Sequence, residues 1–250
     1  MPTLGFLNHV STQPEATEIA YMSIREHHPD APFFFSVDGV ENWDNYSHPS
    51  LYENTEWLFN KEKLGYPPYN RFQIIEWLRR TYIAILKLDC DFVQMVEDDC
   101  LIINPIQIDP TWELAGHVIT EGNKIDPFIL TEIERISKVK PKTDYYGAGG
   151  GSIFKSSTFL ENYHRITAYI KQWWGLYELK YFPQCGYMDC FLNLFYLLCG
   201  KDYLPNFKMK NLDPHNAEEN IISRTYEKEQ IEELYKNDFD IIHNWKRYYS

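Results

Sequence analysis

Glu97-Asp98-Asp99 stands directly after the apolar run Phe92-Val93-Gln94-Met95-Val96 and before Cys100-Leu101-Ile102-Ile103. Acidic side chains crowded at the end of a buried strand repel one another unless positive charge is held among them. The chemistry this suggests is cation binding. Glu97 and Asp99 are spaced so that both carboxylates can address one ion while Asp98 points elsewhere, and hard oxygen ligands suit Mg²⁺ or Mn²⁺. A solvated acidic turn is the alternative reading. Asp89-Cys90-Asp91 has similar spacing, but it precedes the same strand and so falls at the opposite edge of a parallel sheet, away from where ligands bind.

The elements that must position these groups follow from the apolar pattern. Thr3 to Val10 reads as a strand and Pro14 to about His27 as a helix with proline in its first turn. Pro32 to Val37 is a second strand, with Asp38-Gly39 at its carboxyl end, and residues 41–70 read as a long aromatic connection with room for short helices. Phe72 to Leu88 is a helix apolar on most sides, and Phe92 to Val96 is a strand covered on both faces. Alternating strands and helices predict an α/β fold with a mostly parallel central sheet flanked by helices, in which ligands lie beyond the carboxyl ends of the strands. Asp38 and the acidic triplet both fall there.

The second half is less regular. Tyr145 to Phe154 reads as a glycine-rich loop entering a strand, Ser156 or Ser157 caps a helix to about Ile170, and Met188 to Cys199 is a helix stopped by Gly200. Asn211 to Glu233 reads as an exposed helix and Phe239 to His243 as a short strand. Residues after Asp240 are expected to matter little to the fold, because terminal segments rarely carry a core.

Met95-Val96-Glu97-Asp98-Asp99-Cys100-Leu101-Ile102 resembles the D-x-D segment of the GT-A fold glycosyltransferases, with Glu in place of the first Asp. Asn8-His9 near a first strand end, Asp38 at a second, a glycine-rich segment, an Asp at a late helix start and a C-terminal His occur in the order that family shows. The resemblance implies a single domain over residues 1–250, with a nucleotide-binding half to about residue 104 and an acceptor-side half from about 105. It implies transfer of a sugar from a nucleotide diphosphate sugar, UDP- or GDP-linked, to a glycan or other hydroxyl acceptor. Mn²⁺ or Mg²⁺ would sit on Glu97, Asp99 and His243, with His215 as a rival to His243. Asn8, His9, Asp38, Arg71, Asp98, Gly149, Gly150 and Lys246 would contact the nucleotide sugar, with Arg247 beside them.

Asp189 would face the acceptor hydroxyl as general base; as residue chemistry alone it is equally a helix cap. A base on the face opposite the leaving group would invert the anomeric centre. Trp173, Trp174, Tyr177, Tyr181 and Phe182 are core aromatics or the wall of an acceptor cleft. Two rivals share the fold: a sugar nucleotidyltransferase, which needs a glycine- and arginine-rich loop where Asn8-His9-Val10-Ser11-Thr12 stands, and a non-catalytic carbohydrate-binding protein.

Composition bounds the rest. With 250 residues, 44% of them hydrophobic, the chain can bury one substantial core. A formal charge of -12 excludes an extended nucleic-acid surface. No apolar run is long enough for a membrane span, and five cysteines without a C-x-x-C pair fit reduced thiols in a cytoplasmic protein.

Overall fold

The structure, a computed structural model, describes residues 1–10, 13–46, 52–65, 70–116, 124–144, 150–177, 188–204, 208–212 and 228–243; the side chains of 173–177, 188–190 and 203–204 are not described either. Strands β1 (Leu4–Val10), β2 (Phe33–Val37), β3 (Thr55–Phe59) and β4 (Phe92–Val96) pair in parallel, in the spatial order β3-β2-β1-β4. The sheet continues from β4 through β7 (Ile153–Lys155) to β6 (Leu114–Ala115) and β8 (Tyr203–Leu204), and β7 runs antiparallel to both of its neighbours. Among the described residues the α-helices are α1 (Pro14–His27), α2 (Arg71–Leu88), α3 (Pro127–Ser137), α4 (Ser156–Tyr177), α5 (Met188–Leu198) and α6 (Lys228–Tyr235), and Val40–Tyr46 is a 3-10 helix.

Every residue of β2 and β4 is buried, as a strand covered on both faces must be. Side-chain alternation divides the core. Leu7, Phe34, Val93 and Met95 pack under α2 with Trp77 and Leu78, whereas Phe6, Phe33, Phe35 and Val96 face the side that holds Tyr21 and Ile24 of α1. Helix α2 starts where the Asn70 side chain accepts from the amides of Phe72 and Gln73 while Gln73 reaches back to Asn70, a reciprocal cap. It ends at Asp89, which takes a left-handed conformation with φ 48°.

A second, smaller sheet matters most for function. In it β10 (Ile241–His243) lies between β5 (Cys100–Ile102), to which it is antiparallel, and β9 (Met209–Asn211), to which it is parallel. Cys100, Ile102, Met209 and Ile241 face the main core, and Leu101, Leu212, Ile231 and Ile242 form a separate outer cluster.

Several expectations need correction. The 41–70 connection contains β3, whose residues pair with Phe33 to Val37 at the edge of the sheet. Asn211 is the last residue of a strand rather than the start of a helix, Lys228–Tyr235 is helical as expected, and residues 213–227 lie outside the described part. The predicted helix to Ile170 runs to Tyr177. Residues after Asp240 are not peripheral: Ile241 and Ile242 are fully buried in the central strand of the small sheet. Burying two such side chains contributes roughly 3–6 kcal/mol, so removing β10 breaks packing as well as the site.

Candidate active site

Glu97 to Cys100 is a reverse turn closed by the Cys100 amide donating to the Glu97 carbonyl at 3.1 Å. The turn reverses the chain from β4 of the main sheet into β5 of the small one, so its side chains meet the joint between the sheets. On the neighbouring strand His243 is the antiparallel partner of Cys100. That register brings His243 Nε2 to 3.3 Å from Asp99 Oδ1 and 3.6 Å from Glu97 Oε2.

Asp99 is 4% and His243 6% exposed, so these charges interact in a poorly solvated space. Burial alone would push the His243 pKa down, but the Asp99 and Glu97 carboxylates hold it well above the usual value. A divalent cation held by the two carboxylates would displace the imidazolium proton, leaving the neutral ring free to ligate.

Gly150, the first described residue of the glycine-rich segment, closes over this group. Gly150 packs so tightly that a Cβ there would stand 2.8 Å from His243 Nε2 and 2.9 Å from Glu97 Cγ and Cδ. Next to it Gly151, at φ +102°, donates its amide to the Met95 carbonyl at 2.6 Å and accepts from Gln94 Nε2 at 3.0 Å. The segment is thereby tied to the end of β4. Glycine is needed at 150 because the space above Glu97 and His243 must stay empty of side chain. An oxygen- and nitrogen-bearing donor set under such a cradle fits a small divalent cation.

The remaining candidates divide. Asn8 and His9 lie near the carboxyl end of β1, which ends at Val10 and neighbours β4, with Asn8 in register with Val96. The Asn8 side chain is fully buried, and neither of its amide atoms has a hydrogen-bond partner among the described residues. His9 turns to the opposite face, its ring 6.2 Å from that of Trp77. The His9 residue is partly exposed, yet both ring nitrogens are buried without a partner among the described residues, and desolvation with the nearby Arg80 charge lowers its pKa to about 3. Buried polar atoms left unpaired at a ligand-binding edge are what a nucleotide could satisfy.

Asp38 is engaged inside the protein. Its carboxylate accepts from the amides of Leu64 at 2.7 Å and Gly65 at 3.3 Å, and from Arg80 Nη1 at 2.7 Å. Arg80 is fully buried and also donates to Glu76 and to the Glu62 carbonyl. This network fixes the loop after β3, and sequence reading gave no sign of Arg80. Asp98 lies on the Tyr46 side of the turn; burial, eased by Thr17 and reinforced by the Asp98 charge, raises the Tyr46 pKa to about 12. Arg71, at the start of α2, donates to the Lys171 carbonyl at 3.3 Å and lies over the Phe72 ring. Asp189 falls in the first turn of α5, with its side chain outside the described residues. Gly149, Lys246, Arg247 and His215 are also outside them.

Cys100, like Arg80, emerges only in the structure. The Cys100 thiol belongs with Asp99 and His243, and candidate ligand atoms of the three lie within 4.8 Å of one another. Only its adjacency to Asp99 could have hinted at this.

The rival acidic pair sits at the far end of β4. There Asp91 Oδ2 accepts from the Thr3 amide at 2.8 Å and the Thr3 hydroxyl at 2.9 Å. No helix among the described residues is long and apolar enough to cross a membrane.

No family model and no curated protein sequence matches the chain. Solved structures do. A galactosyltransferase, LgtC, in complex with donor and acceptor sugar analogs superposes with a TM-score of 0.52 at 17% identity, covering 96% of this chain and 86% of its own. An active-site mutant of LgtC gives a TM-score of 0.50 at 17% identity over the same shares. Across nearly its whole length, this chain therefore has the GT-A glycosyltransferase fold.

Proposed function

We propose that this protein is a metal-dependent glycosyltransferase that moves a sugar from a nucleoside diphosphate sugar, UDP- or GDP-linked, to a hydroxyl acceptor. The observation that carries the reading is the convergence of Glu97, Asp99 and His243 beneath Gly150 at the carboxyl end of β4. A Mn²⁺ or Mg²⁺ ion on these residues would neutralise the diphosphate and stabilise the charge that develops as the nucleotide leaves.

The first half, to about residue 104, is the nucleotide side in this reading. Asn8 and His9 offer their unpaired polar atoms to the base and ribose. Asp38 acts by holding the 64–65 backbone through its hydrogen bonds, so its part is to shape the pocket wall. Asp98, Gly149 and Gly150 lie along the diphosphate and donor sugar, Arg71 borders them, and Lys246 supplies positive charge. Asp189, at the start of α5, takes the proton of the acceptor hydroxyl as the new glycosidic bond forms. Its place in a first helical turn also favours the ionised carboxylate that a base requires.

The test is incubation with a panel of nucleotide sugars, with and without Mn²⁺, following free nucleoside diphosphate and thermal unfolding. One donor should be hydrolysed slowly and should raise the melting temperature only with metal. If no donor is turned over or stabilises the protein in Mn²⁺, the reading fails.

A further inference from the structure

The cation centre contains a donor that a hard-ion site has no use for. Cys100 is fully buried on the face of β5 that looks into the main core, directly opposite His243 in the antiparallel register. Cross-strand partners project from the same face, so thiol and imidazole point into one space. Asp99 enters from the turn that precedes β5. The resulting set has one oxygen, one nitrogen and one sulfur donor within 4.8 Å of one another. Two donors bound to one ion at about 2.0–2.2 Å and a tetrahedral angle stand roughly 3.3–3.6 Å apart. Asp99 Oδ1 and His243 Nε2 are 3.3 Å apart.

Glu97 defines a different position. It approaches His243 from beneath Gly150 and is not within the group that includes Cys100. Asp99 and His243 are thus shared by two overlapping arrangements: an outer one with Glu97, rich in oxygen, and an inner one with Cys100, containing sulfur. Thiolate ligation selects borderline and soft ions, whereas carboxylate oxygens suit Mg²⁺ and Mn²⁺.

We propose that Asp99, Cys100 and His243 form an inner site for a thiophilic divalent cation of the Zn²⁺ or Co²⁺ class, which competes with the Mn²⁺ or Mg²⁺ of the outer position. Binding replaces the thiol proton by a metal–sulfur bond and releases that proton to solvent, with no change of oxidation state. Because two ligands are common to both positions, one ion excludes the other, and Zn²⁺ acts as an inhibitor of the Mn²⁺ form. This inference rests on the cation reading of the centre and does not depend on the sugar-transfer reaction.

The experiment titrates the full chain with Co²⁺ and Zn²⁺ without nucleotide. The wild type should develop a thiolate-to-cobalt charge-transfer absorption that Zn²⁺ displaces. Cys100→Ser should lose that band and bind Zn²⁺ at least about tenfold more weakly while its Mn²⁺ affinity changes little. Cys90→Ser, at the other end of β4, should keep the band. X-ray absorption of the Zn²⁺-loaded wild type covers the case in which the serine variant does not fold: a sulfur neighbour at about 2.3 Å, lost in His243→Ala, is expected. No charge-transfer band, or a band that persists in Cys100→Ser, overturns the inner site. If Mn²⁺ then still binds with a nucleotide sugar, the proposed function stands alone. If Mn²⁺ fails to bind as well, both fail.

Discussion

The two ends of β4 carry similar acidic sequences and have opposite fates. At the amino end, exposed Asp91 is matched by the amide and hydroxyl of Thr3, a small closed contact that leaves no demand for another ligand. At the carboxyl end, Asp99 is buried against His243 and Glu97, with a glycine pressed over them. Residue type is nearly the same at both ends. What differs is where the chain goes next. Asp91 leads into the strand, whereas Asp99 leads out through a turn into a second sheet that delivers a histidine from more than a hundred residues away. A parallel sheet makes its two edges unequal, and that inequality turns a pair of carboxylates into a site.

The largest effect expected is at Asp189, the proposed base. Asp189→Asn keeps the size and capping ability of the side chain, so fold and donor binding should survive while transfer falls by about 10²- to 10⁴-fold in a coupled rate assay. Transfer at a near-normal rate would leave Asp189 as a helix cap only.

Gly150→Ala comes next. Its methyl group would press on the His243 ring and the Glu97 side chain, and Mn²⁺ affinity measured by electron paramagnetic resonance should drop by about 10- to 100-fold. Unchanged affinity would mean that the cradle plays no part in holding the ion.

His9 contributes a pH response at the carboxyl edge. Its folded pKa, about 3, lies below the unfolded value of 6.5 because burial, then the Arg80 charge, disfavours the proton. Between those values the unfolded chain binds the extra proton. Stability from the neutral ring is therefore complete above pH 6.5 and is lost as pH falls toward 3, amounting to roughly 2 kcal/mol by pH 5. Urea unfolding at pH 7 and pH 5 should show this difference, and His9→Gln should reduce it. An equal pH slope in that variant would assign acid sensitivity to other groups.

The smallest effect belongs to the amino end. Asp91→Ala removes hydrogen bonds on an exposed surface and should cost about 1 kcal/mol or less in the same unfolding measurement. A larger loss would show that the Thr3 contact anchors β1.

Elements with a strong period were legible in the chain. The Phe92 to Val96 run, the β1–α1 pair and the Met188 helix depend on local burial patterns, and the turn residues Glu97 to Asp99 announce both charge and direction. Less was legible where partners are distant. The Thr55 to Phe59 strand lies at a sheet edge and lacks a strong apolar signal, so only its pairing with β2 defines it. Arg80 looks like one more helix-surface cation until Asp38 and Glu62 close around it. Cys100 reads as a core thiol because nothing local reveals that β10 will set His243 opposite it. Asp38 shows the converse: its position at a strand end suggests a ligand contact, and only the fold reveals the three internal donors at its carboxylate.

The central claim, that the carboxyl end of β4 is the cation centre and the amino end is not, is tested most directly by measuring Mn²⁺-dependent binding of a nucleoside diphosphate to Asp99→Ala and Asp91→Ala side by side. Calorimetric titration should find binding reduced by at least about 100-fold in Asp99→Ala, through loss of a hard ligand from the centre, and within about twofold of wild type in Asp91→Ala. Equal losses in the two variants, or undiminished binding in Asp99→Ala, would contradict the account.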